Sequence, residues 1–93
     1  MALVFEWNPV KARINEAKHG ISFEEAASVF GDPLSLMIMD PLHSVREERF
    51  VTVGTSHRGR LLVVVYADRG DRIRIISGRR ATPQERRAYE EKE

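Results

Sequence analysis

Arginine and isoleucine alternate along the segment from Arg72 to Arg79, which has the two-residue period of a β-strand. Two earlier segments, Arg49 to Thr55 and Arg60 to Ala67, are rich in β-branched and apolar residues. Short connectors containing glycine join the three segments, so we expect an antiparallel meander. The middle segment is apolar on both of its faces, which predicts a central strand that is covered on both sides.

Helix signals lie before and after this meander. Asn8-Pro9 predicts the start of a first helix, with an N-cap acceptor and proline at the first helical position. Val10, Ile14 and Ala17 share one face of that helix, which we expect to pack in the core, and Gly20 is a typical stop. Capping boxes predict two further helices, which begin after Ser22 and Thr82 and end near Gly31 and Glu91.

The remaining segments complete an α+β prediction. Leu3 to Trp7 and Leu34 to Met39 are expected to be strands, and the polar segment Asp40 to Glu48 is expected to be a loop. We therefore predict one small domain over residues 1–93, in which a twisted and mainly antiparallel sheet packs with two N-terminal helices and one C-terminal helix.

Composition narrows the class of protein. The 93 residues include no cysteine, so disulfides and thiolate metal sites are excluded, and a reducing cytoplasmic location is expected. The longest apolar run is too short to cross a bilayer, and the N-terminus lacks the layout of a signal peptide, so we expect no membrane partner. The net charge of only +1 does not by itself indicate a nucleic-acid partner.

The distribution of charge is more informative than its sum. Between Arg58 and Arg87 the chain carries nine basic and three acidic residues. Arginine has a planar fork of donors that suits phosphate, so a strand displaying Arg72 and Arg74 on one face could hold an RNA backbone. A solvated sheet face and helix surface that carry arginine only for solubility would give the same pattern.

If both hairpins were symmetric about their connectors, Arg74 would lie opposite Val65, and Val65 opposite Phe50. Arg72 would then lie in the same cross-strand row as Ala67 and Glu48. We expect Arg72 to form a structural ion pair with Glu48. The opposite face would carry Arg49, Arg60 and Arg79. A slip of one residue would reverse these assignments.

No metal-dependent chemistry is indicated. The three histidines (His19, His43 and His57) lack metal-ligand spacing, and no carboxylate cluster resembles a two-metal centre, so we expect neither metal nor other cofactor. Metal-independent RNA cleavage would need a base, an acid and cations that stabilise the phosphorane. The candidates for proton transfer are His19, Glu48 and Tyr89, each of which also has a structural alternative as a helix C-cap, an ion-pair partner or a core aromatic residue.

The order of several short motifs resembles the BrnT-type family of bacterial toxins over nearly the whole chain. The matching residues are Phe5-Glu6-Trp7-Asn8-Pro9, Lys18-His19-Gly20-Ile21-Ser22-Phe23, Glu47-Glu48-Arg49, Gly59-Arg60-Leu61-Leu62 and Ile73-Arg74-Ile75-Ile76-Ser77. The resemblance implies a RelE-like ribonuclease fold, and a type II toxin that arrests growth through RNA cleavage and inhibited translation. It also implies a partner similar to the antitoxin BrnA, which would bind DNA through a ribbon-helix-helix module and sequester the toxin in a hetero-oligomer, so that DNA is contacted only indirectly.

The predicted site combines these two lines of reasoning. We expect the phosphate clamp and the proton-transfer groups among Arg74, Arg79, Arg80, Arg60, His19, Glu48 and Tyr89, with further RNA contacts from Arg49, Arg58 and Lys18. Arg74 is the strongest single candidate. The alternative is a binding module without turnover, whose basic sheet face docks a partner protein. Direct duplex binding is disfavoured because no recognition helix is evident.

Overall fold

The computed structural model describes residues 3–39 and 49–91, and these contain five strands in one sheet. The spatial order is β1-β5-β4-β3-β2, in which β1 is parallel to β5 and the other neighbours are antiparallel. The strands are β1 (Phe5–Glu6), β2 (Leu36–Met39), β3 (Arg49–Thr55), β4 (Leu61–Asp68) and β5 (Ile73–Arg80). The predicted meander of three antiparallel strands is therefore confirmed as β3, β4 and β5.

Within the described residues, three α-helices complete the predicted α+β fold, and each begins at the cap that the sequence predicts. They are α1 (Pro9–His19), α2 (Phe23–Ser28), which continues into a 3₁₀ turn at Val29–Gly31, and α3 (Pro83–Glu91). The Asn8 side chain accepts from the backbone N–H of Val10 at 2.8 Å, and Ser22 Oγ accepts from that of Glu25 at 3.0 Å. Gly20 ends α1 with φ of +72°, a conformation that favours glycine.

The helices lie on opposite faces of the sheet. Residues of the segment that contains α2 pack against one face, where Phe23, Ala26 and Val29 belong to the same buried cluster as Leu62 and Val64 of β4. On the other face, Tyr89 of α3 packs against a second buried cluster formed by Val53, Leu61 and Val63. The strand β4 is consequently covered on both sides, as the sequence predicts.

The prediction for the buried face of α1 is wrong. Val10 and Ile14 are 54% and 60% exposed, and the buried residue of the helix is Asn15, which is 7% exposed. The Asn15 amide accepts from the backbone N–H of Gly78 at 3.2 Å and donates to the Gly78 carbonyl at 2.9 Å. It also donates to the Ile21 carbonyl at 2.9 Å. A polar side chain thus decides which face of α1 meets the sheet.

The predicted strand register is also wrong. Arg74 lies opposite Ala67, while Val65 lies opposite Val51 on one side and Ser77 on the other. An irregularity between Val65 and Tyr66 leaves one extra residue, Ile76, in β5, and such a bulge shifts the alternation of faces by one residue.

This shift, together with a one-residue shift of β3 on β4 that the Ser56–Arg60 turn contact sets, brings predicted site residues onto one face of the sheet. Arg49 and Arg74 both pair with Ala67, so their side chains project from the same face. Arg79 pairs with Val63, two residues before Val65 and four before Ala67, and therefore shares that face as well. The predicted separation of Arg74 from Arg49 and Arg79 does not hold. The predicted alignment of Arg72 with Glu48 involves a residue outside the described ones.

Asn15→Ala should destabilise the fold by roughly 2–4 kcal/mol, because the buried polar groups of Gly78 and Ile21 lose their hydrogen-bond partner. Urea unfolding monitored by circular dichroism measures this change. Glu16→Ala, at the exposed neighbouring position, is the matched control and should stay within about 0.5 kcal/mol of the wild type. A loss below about 1 kcal/mol for Asn15→Ala would show that this contact does not hold α1 to the sheet.

Candidate functional site

A cationic depression runs between α1 and β5, and we call it the α1–β5 groove. At one end it is lined by Lys11 together with Arg49 and Arg74, and at the other by Lys18 and His19. The two ends share Lys11 and Ile76, so they form one continuous surface. The remaining lining residues are Asn8, Ile14, Asn15, Ile75 and Ser77.

Helical periodicity explains why two lysines line this groove. Lys11, Asn15 and Lys18 are separated by four and then three residues, a spacing that places side chains on one face of a helix. Asn15 is bonded to Gly78, so this face is turned towards β5. The two lysines therefore stand one turn on either side of Asn15, about 10 Å apart along the helix axis.

The sheet supplies the arginines at the first end of the groove. Arg49 of β3 and Arg74 of β5 lie opposite the same residue of β4, the small and buried Ala67. Neighbouring strands are about 4.8 Å apart, so the two arginines start about 10 Å from each other on one face. Together with Lys11 from α1, they surround the depression from three elements, an arrangement that suits an anionic group such as phosphate.

Glu6 of β1 extends the same row and pairs with several arginines. Its carboxylate lies 3.3 Å from Arg74, 3.3 Å from Arg72 and 3.8 Å from Arg69. Loss of water raises the pKa of the Glu6 carboxyl, but the hydrogen bonds and charges of Arg72 and Arg74 outweigh this and hold the pKa below its usual value. Arg72 also lies 3.6 Å from the Asp71 carboxylate, so two carboxylates meet these guanidinium groups and charges of both signs are mixed at this edge of the sheet.

Arg60, a predicted clamp residue, lies elsewhere and is engaged in a structural ion pair. Its guanidinium donates to both carboxylate oxygens of Glu25, with the Nε to Oε2 distance at 2.8 Å. Glu25 is 2% exposed and also accepts from the Ser56 hydroxyl at 2.7 Å. The Arg60 hydrogen bond lowers the pKa of the Glu25 carboxyl despite its burial, and the same bond raises the pKa of Arg60.

Arg79 has a similar role at the start of α3. Its guanidinium donates to Glu85 through two hydrogen bonds of 2.9 and 2.8 Å, while Glu85 also accepts from the Thr82 backbone N–H at 2.8 Å. The Arg79 hydrogen bonds lower the pKa of the Glu85 carboxyl to about 2. Although Arg79 shares a face with Arg74, its side chain ties β5 to α3 and does not line the groove.

Tyr89 lies outside the groove as well. Its hydroxyl donates to Asp32 at 2.6 Å, and the same Asp32 oxygen accepts from the backbone N–H of Thr55 at 2.8 Å. This contact joins α3 to the segment that precedes β2. Arg58, in the β3–β4 turn, and Arg80, at the end of β5, are exposed and do not line the groove. Glu48 is outside the described residues.

Of the predicted site residues, Arg74, Arg49, Lys18 and His19 therefore come together in the groove. Sequence reasoning omitted Lys11 and Glu6. The helical spacing of Lys11, Asn15 and Lys18 is a sequence signal from which the place of Lys11 in the groove can be predicted. Glu6 gave no such signal, because its contacts depend on the parallel pairing of β1 with β5.

The described part of the chain holds no group of three or more histidine, cysteine, aspartate or glutamate residues placed to bind a metal ion. Within the same residues, no helix has the length and apolar character needed to cross a membrane.

Arg60→Ala should lower the melting temperature by roughly 10 °C, because it leaves the buried Glu25 carboxylate without its partner. Adding Glu25→Gln to this variant should restore part of the loss, since no buried charge is then left unpaired. Arg58→Ala, at a nearby exposed arginine, is the control and should shift the melting temperature by no more than about 3 °C. If Arg60→Ala melts like the wild type, the ion pair has no structural role.

Comparisons with known proteins agree with this architecture. The family model described as ribonuclease toxin, BrnT, of type II toxin–antitoxin system matches residues 7–85. Among solved structures, the chain is similar to the 1.1 Å crystal structure of the Brucella abortus ribonuclease toxin BrnT, with a TM-score of 0.63 and 20% identity, over 87% of this chain and 99% of that one. No curated protein sequence matches. The family match covers most of the chain, and we conclude that this protein belongs to the BrnT family of ribonuclease toxins of type II toxin–antitoxin systems.

Proposed function

We propose that this protein is an endoribonuclease toxin, which cleaves RNA without a metal ion and binds the RNA backbone in the α1–β5 groove. The observation that carries the proposal is the convergence of Lys11, Arg49 and Arg74 on one depression. Cations from three separate elements surround a space where a phosphate would be contacted from several sides. Family membership supports RNA as the source of that phosphate.

We assign the scissile phosphate to this cluster of three cations. Cleavage by attack of the ribose 2′-oxygen develops negative charge on the phosphorane, which fixed cations stabilise. An arginine guanidinium stabilises charge without acting as a proton donor in catalysis, whereas a lysine ammonium such as that of Lys11 can transfer a proton. Lys11 is therefore our candidate for the acid that protonates the departing 5′-oxygen.

Lys18 and His19 would contact the RNA farther along the groove. His19 is eight residues after Lys11, about 12 Å along the helix axis, which is too far to act on the same phosphate. We assign these two residues to a neighbouring phosphate or base. Of the predicted proton-transfer residues, Tyr89 is bonded to Asp32 away from the groove, and Glu48 remains a candidate base by sequence alone.

The biological setting follows from the family. We propose that residues 1–93 act as one toxin domain in the cytoplasm, that RNA cleavage inhibits translation and growth, and that a BrnA-like ribbon-helix-helix antitoxin neutralises the toxin. DNA would be contacted only through that antitoxin. A RelE-like relationship of the fold remains part of this proposal.

A binding module without turnover is the second candidate. It is favoured by the ion pairs of Arg60 and Arg79, which commit two of the predicted clamp arginines to the fold. Under this alternative, expression of the chain without an antitoxin would leave growth and cellular RNA intact.

Arg74→Ala should reduce RNA cleavage by roughly 100-fold or more, because it removes a cation that stabilises the transition state. Growth arrest on induction in a bacterium and cleavage of a labelled RNA by the purified protein measure this effect. Arg87→Ala, at an exposed arginine of α3, should cleave like the wild type. A fully toxic Arg74→Ala variant would contradict the site assignment, and a loss of activity supports it only if the melting temperature is unchanged.

Lys11→Arg keeps the positive charge at its position but removes the transferable proton, so we expect RNA binding to persist while the cleavage rate falls by roughly 100-fold. Lys11→Met should weaken binding as well. Fluorescence anisotropy with a 2′-deoxy substrate and single-turnover cleavage separate the two effects. An active Lys11→Arg variant, alongside a His19→Gln variant that binds without cleaving, would move both the scissile phosphate and the acid role to the His19 end of the groove.

A further inference from the structure

An apolar stripe lies along the outer side of α1. Val10 and Ile14 are 54% and 60% exposed, and Ala17 is exposed as well. Their spacing of four and then three residues places the three side chains on one helical face. Because Asn15 turns a different face towards β5, the stripe is directed away from the sheet and is not part of the core.

The stripe adjoins the α1–β5 groove. Ile14 belongs to the stripe and also lines the groove beside Lys18 and His19. Of the other large exposed apolar side chains in the described residues, Leu34 and Met37 lie at β2 or just before it, on the opposite side of the sheet order from α1. Leu3 and Val4 directly precede β1 and lie at the same edge of the sheet as α1. Single exposed apolar residues are common on protein surfaces, but three on one helical face beside a cationic groove indicate a contact surface.

The charges beside the stripe indicate what would bind there. At 100° per residue, Lys11 and Lys18 stand between the stripe and β5, while Arg13 borders the stripe on its other side. Glu16 lies farther round the helix, beyond Arg13. A partner that covers the stripe would therefore meet positive charge along both of its borders, which suits an amphipathic segment with acidic residues on either side of an apolar face.

We propose that the Val10–Ile14–Ala17 stripe is the docking surface for an acidic amphipathic segment of the antitoxin, and that this segment closes the α1–β5 groove. This inference rests on the proposed function, because it takes the α1–β5 groove to be the site where RNA binds. Carboxylates placed over Lys11 and Lys18 would occupy the cations that RNA phosphates need, so antitoxin and RNA would exclude each other.

The test separates neutralisation from toxicity. Val10→Glu combined with Ala17→Glu places carboxylates on the stripe without changing any residue that lines the groove. This variant should arrest growth like the wild type when expressed alone, but should not be neutralised by the antitoxin encoded in the same operon. Calorimetry with the two purified proteins should show a loss of affinity of roughly 100-fold, because each new carboxylate would be buried against an apolar and acidic partner.

Two further variants serve as controls. Leu34→Glu introduces the same side chain at an exposed apolar position away from α1 and should be neutralised normally. Arg13→Glu should reduce affinity for the antitoxin by roughly tenfold at low salt, and this loss should shrink as salt rises.

Each outcome decides between the two proposals. If the variant with two glutamates is neutralised and binds the antitoxin like the wild type, the docking surface is wrong even though the ribonuclease proposal stands. If the wild type itself neither arrests growth nor cleaves RNA, the proposed function fails. The affinities of the variants for the antitoxin then decide alone whether the docking surface is right. If the folded variant with two glutamates binds the antitoxin with wild-type affinity, the docking proposal is wrong. If that variant loses affinity while the Leu34→Glu control does not, the docking proposal is supported.

Discussion

The Asn15 amide is the contact on which the arrangement of this protein depends. The strand β1 pairs with β5 only at Ile73 and Arg74, and α1 follows it along the same edge of the sheet. Farther along β5, Asn15 bonds both backbone groups of Gly78 in the way that a neighbouring strand would. A buried backbone N–H or C=O without a partner is costly, so Asn15, together with Ala12 packed against the core, sets the position and the rotation of α1. The groove, its lysines and the outward apolar stripe all follow from that rotation.

Five of the arginines fall into two groups according to the carboxylates that they meet. Arg60 and Arg79 are each paired with a glutamate through two hydrogen bonds, so they hold α2 and α3 to the sheet. Arg72 and Arg74 instead share Glu6, which also lies near Arg69. The net charge of +1 therefore hides a local imbalance, because the α1–β5 groove is lined by Lys11, Lys18, Arg49 and Arg74 and by no described carboxylate. Bulk charge was a poor guide to partners for this reason.

Local chemistry made the elements predictable, whereas long-range contacts did not. The caps at Asn8, Ser22 and Thr82 act within three residues, and the sequence therefore placed all three helices correctly. The buried face of α1 was mispredicted because Asn15 bonds Gly78, which lies 63 residues farther along the chain. This long-range contact outweighs the apolar periodicity of the helix. The register of β3 on β4 was mispredicted because Ser56 bonds Arg60 across the turn, which leaves three residues in the loop where four were expected. The register of β5 on β4 was mispredicted in part because a one-residue bulge has no clear sequence signature. Arg74 and His19 line the α1–β5 groove, whereas Arg60 is paired with Glu25, 35 residues away along the chain, a contact that the sequence does not reveal.

The bulge at Ile76 has a further effect on the site. It turns Arg79 onto the face that carries Arg74, but Glu85 then holds the Arg79 side chain at the start of α3. The arginines of β5 alone therefore do not form a phosphate-binding cluster. The cations beside Arg74 are Arg49 of β3 and Lys11 of α1. Since Lys11 reaches the cluster only while Asn15 holds α1 against β5, the proposed phosphate site exists only in the folded state. Stability of the α1 contact and activity of the proposed site should for that reason be lost together.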